Sequence, residues 1–311
     1  MANLDEYLRA FSRLNVNRSG GRASPHKPCM LLAVLSMVDA GLLAENRIKF
    51  EPPLLERYAN LFTVVRQDGD RLNPQFPFFH LKSEGFWYLK PRPGREAVVS
   101  AMDTARSMTA ITENIEYAYL ADDLHRTILD PAARIVLREH IVTVWFGRSR
   151  IPIEVVLNDE KRTDEYEEAI RRNTLQAPST PNEAAARNRD AAFRRVVIEL
   201  YDYRCAASGW RIILPQGTMV EAAHIIPFAE TQDDDPHNGI ALTPSFHWAF
   251  DARIISPGPD YKWHVSGAVD ARIADNQPLL SLEGKDLLLP RAKRDWPRQD
   301  ALEWRLQHLI D

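Results

Sequence analysis

The chain has 311 residues, 45% of them hydrophobic and 26% charged, a composition typical of globular proteins and a length that favours two domains over one core. No apolar stretch reaches the roughly 18 residues of a membrane span, and the two cysteines, Cys29 and Cys205, exclude a disulfide framework and a four-thiolate zinc site. The start lacks the layout of a secretion signal, so we expect a cytoplasmic protein without a membrane partner. The net charge of −4 leaves nucleic acid open as a partner, because local patches decide such binding.

The first half of the chain is predicted to be mainly helical with a small β-hairpin. Asn3 to Leu14 has the pattern of a short amphipathic helix, and a strongly apolar helix from about Cys29 to Gly41 follows the turn NRSGGRASPHKP. Pro52 to Val65 is predicted to be helical. The β-like runs FPFFHL (Phe76 to Leu81) and FWYL, separated by KSEG, predict the hairpin. A long helix from Asp130 to Phe146 ends this half.

A polar segment divides the chain. Residues 161–189 are rich in charge, contain prolines and hold few apolar residues, which is typical of a linker. We therefore predict an α+β protein with one domain at residues 1–160 and a second at residues 190–311. The second domain is predicted to begin with a helix from Arg187 to Tyr203.

The segment VEAAHIIPFAETQDDDPHNGIALTPSFHWAFD, from Val220 to Asp251, has the pattern of a strand, a loop, a strand and a helix. His224 ends the first strand, Asn238 follows 14 residues later in the loop, and His247 comes nine residues after that in the helix. Asp251 is four residues beyond His247, so the two side chains share a helical face and can close on one cation. These residue types suit phosphodiester hydrolysis, because an imidazole can take a proton from water and a hard cation can stabilise the leaving oxygen.

This segment resembles the HNH (ββα-metal) nuclease family over about residues 190–285, through AHIIP around His224, NGIAL around Asn238 and HWAFD around His247. The resemblance implies that His224 is the general base, that Asn238 braces the loop and that His247 binds the catalytic divalent metal, Mg²⁺ or Mn²⁺. It also implies products with a 5′ phosphate and a 3′ hydroxyl. Asp251 is a further candidate metal ligand.

One position departs from the family pattern. Several relatives have a metal-binding His or Asp directly before the general base, where this chain has Ala223. Glu221 lies two residues earlier on the same strand face, and its longer side chain is a candidate replacement ligand. His237 is an alternative ligand, although a solvent-exposed loop histidine is the simpler interpretation. Ser208 stands where a second zinc-knuckle cysteine would follow Cys205, so Cys205 is predicted to be a small buried hydrophobe.

The first half of the chain is the more basic one and is expected to provide most of the surface that binds the nucleic acid. Residues 1–150 hold 20 Lys and Arg against 17 Asp and Glu, whereas residues 151–311 hold 19 against 26. HKPCMLLAVL (His26 to Leu35) and FPFFHL resemble the sulfur-binding domain of restriction endonucleases that recognise phosphorothioated DNA, and the resemblance covers about residues 1–160. Sulfur leaves the phosphate charge but makes one corner larger, softer and more weakly hydrated, so an apolar pocket accepts it and penalises an oxygen.

The resemblance implies a pocket and a set of DNA contacts. The expected pocket walls are Phe76, Pro77, Phe78 and His80. The expected contacts to phosphates and base edges are Arg18, Arg22, His26, Lys27 and Lys82, with Gly20 and Gly21 in the same turn. An FPFF run is also typical of core, and Lys27 and Arg22 alone could be ordinary solvated charges.

The sequence therefore predicts a two-domain, type IV (McrA-like) restriction endonuclease. Its partner is double-stranded DNA carrying phosphorothioates, which it cuts nearby with a divalent metal. Three alternatives stay open: an HNH nuclease that reads another mark such as a methylated base, a DNA-binding protein with a decayed nuclease fold, and a defence or homing nuclease without mark dependence. The oligomeric state, a homodimer included, also stays open.

Overall fold

The computed structural model describes residues 4–19, 22–172 and 183–310, so Gly20 and Gly21 of the predicted DNA-contacting turn lie outside the described residues. The chain divides into two compact units. The first is Met1–Lys161 with Ile213–Gly217, and the second is Arg162–Ile212 with Thr218–Asp311. None of the helices in the described parts has both the length and the apolarity that crossing a membrane requires.

The first part of the chain forms nine helices and four short strands among the residues described. In chain order they are α1 (Leu4–Ser12), β1 (Arg18–Ser19), β2 (Arg22–Ala23), α2 (His26–Asp39), α3 (Pro52–Val65), α4 (Gln75–His80), β3 (Trp87–Pro91), α5 (Glu96–Ala101), α6 (Met108–Asn114), β4 (Ile115–Leu120), α7 (Asp122–Leu129), α8 (Pro131–Phe146) and α9 (Arg150–Arg171).

Helix α2 is the centre of the first unit. Its residues from Lys27 to Val38 are all buried, as expected for a helix that is apolar on every side. It starts at His26, earlier than predicted, because Pro28 is tolerated in the first turn. Gly41 (φ +71°) lets the chain leave the helix in a left-handed conformation. Helices α3, α4 and α8 pack against α2.

The predicted hairpin between FPFFHL and FWYL is wrong. FPFFHL forms helix α4, and strand β3 pairs antiparallel with β4, with Trp87 opposite Leu120. Pro77 lies in the first turn of α4, where a missing N–H costs nothing. Phe78 and Phe79 are both buried, because α4 packs into the core of the first unit. A short apolar run fits either period, so its sequence did not decide between them.

The segment predicted as a linker, residues 161–189, is helical at both ends. Helix α9 continues to Arg171, and helix α10 (Glu183–Leu200) begins inside the segment, while residues 173–182 lie outside the described residues. Ion pairs one helical turn apart support the end of α9, such as Arg172 with Glu168 at 2.5 Å. A charged sequence of good helix formers is therefore helix here, although its polarity is typical of a linker.

The remaining elements, after α10, are short. They are β5 (Ile213–Leu214), β6 (Gly217–Thr218), β7 (Glu221–His224), α11 (Phe228–Thr231), β8 (Gly239–Leu242), α12 (Pro244–Asp251), β9 (Ile255–Pro257), β10 (Trp263–Val265), α13 (Gln277–Leu280) and α14 (Gln299–Gln307). Strands β7 and β8 are antiparallel, and α10 and α12 pack against them. The core of the second unit includes Phe193, Phe250 and Trp263. The predicted strand–loop–strand–helix order of residues 220–251 is present.

Candidate functional site

The ββα unit of the second half is assembled by close packing of strands on a helix. His224 ends β7 directly opposite Gly239, the first residue of β8. A Cβ atom at Gly239 would overlap the side chain of Val197 on α10 and press on Phe193, so glycine is required there for the strand to approach the helix. This packing fixes the backbone position of His224, which is opposite Gly239.

The His224 imidazole is held by contacts on several sides. Its Nε2 is 2.9 Å from Oδ1 of Asp234, whose side chain is buried. The Phe193 ring stacks parallel to it, with centroids 3.8 Å apart and an angle of 3° between the planes. The centroid of the Phe228 ring is 5.7 Å from that of the His224 ring, and the Arg189 guanidinium lies over the Phe228 ring. The ring is therefore fixed in position and orientation while part of its edge remains exposed.

Asn238 is fully buried and spans the loop between the strands. Its side-chain oxygen accepts the Ile226 N–H at 2.9 Å, and its side-chain nitrogen donates to the carbonyl oxygens of Ile226 and Asp233 at 3.0 and 3.2 Å. Its backbone carbonyl accepts the Ile225 N–H at 2.8 Å. An asparagine supplies both donor and acceptor, so one side chain closes both sides of the loop. Asn238 thus hydrogen-bonds to backbone groups of Ile226 and Asp233 in the loop between β7 and β8.

His247 on α12 lies between two carboxylates. Its Nδ1 is 2.7 Å from Oε2 of Glu221 on β7, and its Nε2 is 3.3 Å from Oδ2 of Asp251, one helical turn away. The Glu221 side chain therefore reaches from β7 to α12. Within residues 4–19, 22–172 and 183–310, no set of three or more His, Cys, Asp or Glu side chains is already arranged to hold a metal ion.

His237 is occupied elsewhere. Its Nδ1 is 2.5 Å from Oδ1 of Asp235, and its Nε2 is 2.7 Å from the Arg294 carbonyl oxygen. Burial acts to lower the pKa of His237, but these two acceptors outweigh burial and the pKa is raised. Both ring nitrogens are engaged, which disfavours His237 as a metal ligand. Cys205 is buried with its Sγ near Thr243, as expected for a small apolar side chain.

In the first unit, the predicted pocket residues differ in their exposure. Phe78 is fully buried and packs against Phe50 and Trp87, and Pro77 is also buried. Phe76 is half-buried and contacts the half-buried ring of His80. This placement favours a core role for Phe78 and leaves Phe76 and His80 as the aromatic side chains of α4 that reach the surface.

Several of the side chains that were predicted to contact DNA form ion pairs or hydrogen bonds within the first unit. Lys27 is buried in an ion pair with Glu84 and donates to Ser83. Lys82 donates to the Met102 carbonyl oxygen. Lys82 also lies over the Phe79 ring, and His80 Nε2 is 3.0 Å from the Thr104 hydroxyl. Arg22 pairs with Asp70 at 2.7 Å, and the His26 ring contacts Ser24 and the Arg71 carbonyl oxygen. Arg18 is exposed.

Burial depresses the basicity of this group of side chains. It lowers the pKa of His80, and the charges of Lys27 and Lys82 lower it further. Burial likewise lowers the pKa values of His26 and Lys82. His26 and His80 are therefore protonated less readily than free histidines.

Two family models match the chain. Residues 205–256 match an HNH endonuclease model, and residues 4–144 match a model described as ScoMcrA-like, DNA sulfur-binding domain. The chain combines a DNA sulfur-binding domain with an HNH endonuclease domain. The HNH match contains β7, β8 and α12, and with them His224, Asn238 and His247.

Among the solved structures that match, one is similar over about half of the chain. It is the "Sulfur binding domain of SprMcrA complexed with phosphorothioated DNA", with 23% sequence identity, a TM-score of 0.40, and coverage of 51% of this chain and 96% of that one. No curated protein matches the chain.

The sequence motif did not reveal the residues that surround the general-base candidate of the HNH domain. Asp234 belongs to a run of three aspartates, and the run alone does not indicate which of them points inward. Arg189 and Phe193 precede the matched segment on α10. A helical pattern with Phe193 on the apolar face was the one available signal, and it predicts core rather than contact with His224.

Proposed function

We propose that the protein is a type IV, McrA-like restriction endonuclease that binds phosphorothioate-modified double-stranded DNA and hydrolyses a phosphodiester bond nearby. The observation that carries the proposal is the ββα unit with His224 on β7 and His247 on α12, in a chain that also has a DNA sulfur-binding domain. Residues 1–160 would select the DNA, and residues 190–311 would cut it.

His224 is the general base in this proposal. Its imidazole takes a proton from a water molecule, and the water oxygen attacks phosphorus in line with the leaving 3′ oxygen. The products carry a 5′ phosphate and a 3′ hydroxyl. Asn238 is buried and serves as a positioning residue, because its hydrogen bonds hold the loop between the two strands.

His247, Glu221 and Asp251 are the residues that would hold a divalent cation. An imidazole nitrogen and carboxylate oxygens are donors that suit Mg²⁺ or Mn²⁺. Because each ring nitrogen of His247 faces a different carboxylate, one carboxylate would share the ion with His247 and the other would orient the ring. When bound, such a cation neutralises charge on the phosphate and stabilises the leaving oxygen.

The apolar notch for sulfur is proposed at the surface of α4. Phe76 and His80 are half-buried there and contact each other, whereas Pro77 and Phe78 of the same helix are buried. Arg18 would contact neighbouring phosphates and base edges, together with Arg22, His26 and Lys82. Discrimination then comes from the cost of placing a well-hydrated oxygen against apolar rings.

Matched DNA duplexes with and without one stereodefined phosphorothioate test the proposal. The wild type should bind and cut the modified duplex preferentially with Mg²⁺ or Mn²⁺ present. His224→Ala should bind the modified duplex as tightly as the wild type and fail to cut it, because the base acts only on the attacking water. Equal binding of both duplexes would contradict the sulfur specificity, and cutting by His224→Ala at the wild-type rate would contradict the site.

A further inference from the structure

The carboxylate of Asp234 is buried against the general-base candidate. Its side chain is 1% exposed, Oδ1 lies 2.9 Å from His224 Nε2, and Oδ2 lies 3.1 Å from Arg189 Nε. Removing a carboxylate from water is costly unless charged or hydrogen-bonding partners compensate. Here the two compensating groups are the Arg189 guanidinium and the His224 imidazole. The Asp234 carboxylate therefore contacts the general-base candidate directly.

The chemistry of this contact fixes the His224 tautomer. An ionised carboxylate only accepts hydrogen bonds, so Nε2 must carry the hydrogen that it donates to Asp234. In the neutral imidazole the lone pair is then on Nδ1. Among the residues that the structure describes, none forms a hydrogen bond to Nδ1 of His224. Nδ1 is therefore the atom free to take a proton.

The aromatic contacts keep the ring from turning away from Asp234. The Phe193 ring is 2% exposed and lies parallel to the imidazole at 3.8 Å. Arg189, which pairs with Asp234, also lies 3.7 Å above the centre of the Phe228 ring, and Phe228 packs on His224 at 5.7 Å. A quarter turn of the imidazole about its Cβ–Cγ bond would break both the contact with Asp234 and the parallel stacking on Phe193.

We propose that Asp234 is a positioning residue for the general base, an inference that rests on the proposed nuclease function. It holds His224 in the Nε2–H tautomer and compensates the positive charge that forms when Nδ1 is protonated. In that step one O–H bond of water breaks as the N–H bond forms at Nδ1. The water oxygen bonds to phosphorus, the bond from phosphorus to the 3′ oxygen breaks, and that oxygen takes a proton from solvent. His224 later releases its proton to solvent.

Asp234→Asn in the full chain tests this role, with Asp233→Asn as the matched control. Asparagine keeps the size of the side chain, but its amide can present N–H groups to Nε2 and so favour the unproductive tautomer. We expect kcat for cleavage of modified DNA to fall on the order of 100-fold while KM and DNA affinity stay within about threefold. Asp233 pairs with Arg298 at 2.6 Å instead, and its variant should keep kcat within about threefold of the wild type.

A second measurement uses the wild-type protein and does not depend on cleavage. Correlation of ¹⁵N and ¹H signals of labelled histidines should show His224 with its hydrogen on Nε2, and Asp234→Asn should change that pattern. A hydrogen on Nδ1 in the wild type would refute the role of Asp234. So would an unchanged kcat for Asp234→Asn in a preparation where His224→Ala does not cut. Cutting by His224→Ala would instead refute the proposed function itself.

Discussion

Lys27, in the first turn of α2, forms an ion pair with Glu84 in the interior of the first unit, where the two side chains are only 9% and 8% exposed. Ser83 and the backbone N–H of Asn15 complete the group by hydrogen-bonding to Lys27 and Glu84 respectively. The sequence alone indicated a phosphate contact for Lys27. The pair implies instead that the Lys27 ammonium group neutralises the Glu84 carboxylate within the protein, so substitution of Lys27 should mainly lower the stability of the first unit.

Lys27→Met should therefore destabilise the first unit by about 3 kcal/mol, because it leaves the Glu84 carboxylate buried without its cation. Urea unfolding followed by circular dichroism measures this change. The double variant Lys27→Met with Glu84→Gln should recover most of the loss, since no unpaired charge then remains. A single variant as stable as the wild type would mean that the pair is not maintained in solution.

The first unit should lose stability as the pH falls from about 7 to 5. Burial lowers the pKa values of His80 and His26, so at mildly acid pH the unfolded chain binds protons that the folded chain does not. This contribution is present above the unfolded histidine pKa of about 6.5 and declines as the pH drops below it. His80→Asn should reduce the slope of melting temperature against pH. A slope identical to that of the wild type would show that His80 titrates normally.

The metal assignment predicts different effects for acidic residues at and away from His247. Chelator should abolish cutting, and Mg²⁺ or Mn²⁺ should restore it. Glu221→Gln and Asp251→Asn should each raise the half-maximal metal concentration about tenfold, because loss of a ligand or of its orienting partner weakens binding on this scale. Glu230→Gln, an exposed residue on α11, is the control and should leave the metal curve unchanged. An unshifted curve for Glu221→Gln would remove Glu221 from the site.

The fragment of residues 1–172, which ends just after α9, should fold alone and retain most of the preference for modified DNA. The hydrophobic core of the first unit runs from Tyr7 to Ile153 and lies entirely within it. Cooperative thermal unfolding and binding to the matched duplexes would check the two parts of this prediction. A folded fragment that binds neither duplex would assign recognition to the rest of the chain.

The sequence predicted the ββα unit well because its information is local: the spacing of His224, Asn238 and His247 is fixed within 24 residues, and strand, loop and helix follow from short patterns. The sequence did not predict contacts between residues that are far apart in the chain. The partner of Lys27 is 57 residues away, and nothing near Lys27 indicates an ion pair. Helix α4 was predicted as a strand because Phe76 to Phe79 is too short for periodicity to distinguish the two, and packing against α2 decided the outcome.

Phe76→Ser should collapse the ratio of affinities for modified and unmodified duplex while leaving affinity for the unmodified duplex little changed. A polar side chain at the proposed notch makes an oxygen as acceptable as sulfur, so the preference should fall by about 1–3 kcal/mol. Phe76 is the most direct test because its ring is half-buried, whereas Pro77 and Phe78 are buried and their substitution also perturbs the core. Leu72→Ser, another half-buried apolar position in the segment before α4, is the control and should keep the ratio. Circular dichroism must show both variants folded. A folded Phe76→Ser that keeps the full ratio would place the sulfur notch elsewhere on the first unit.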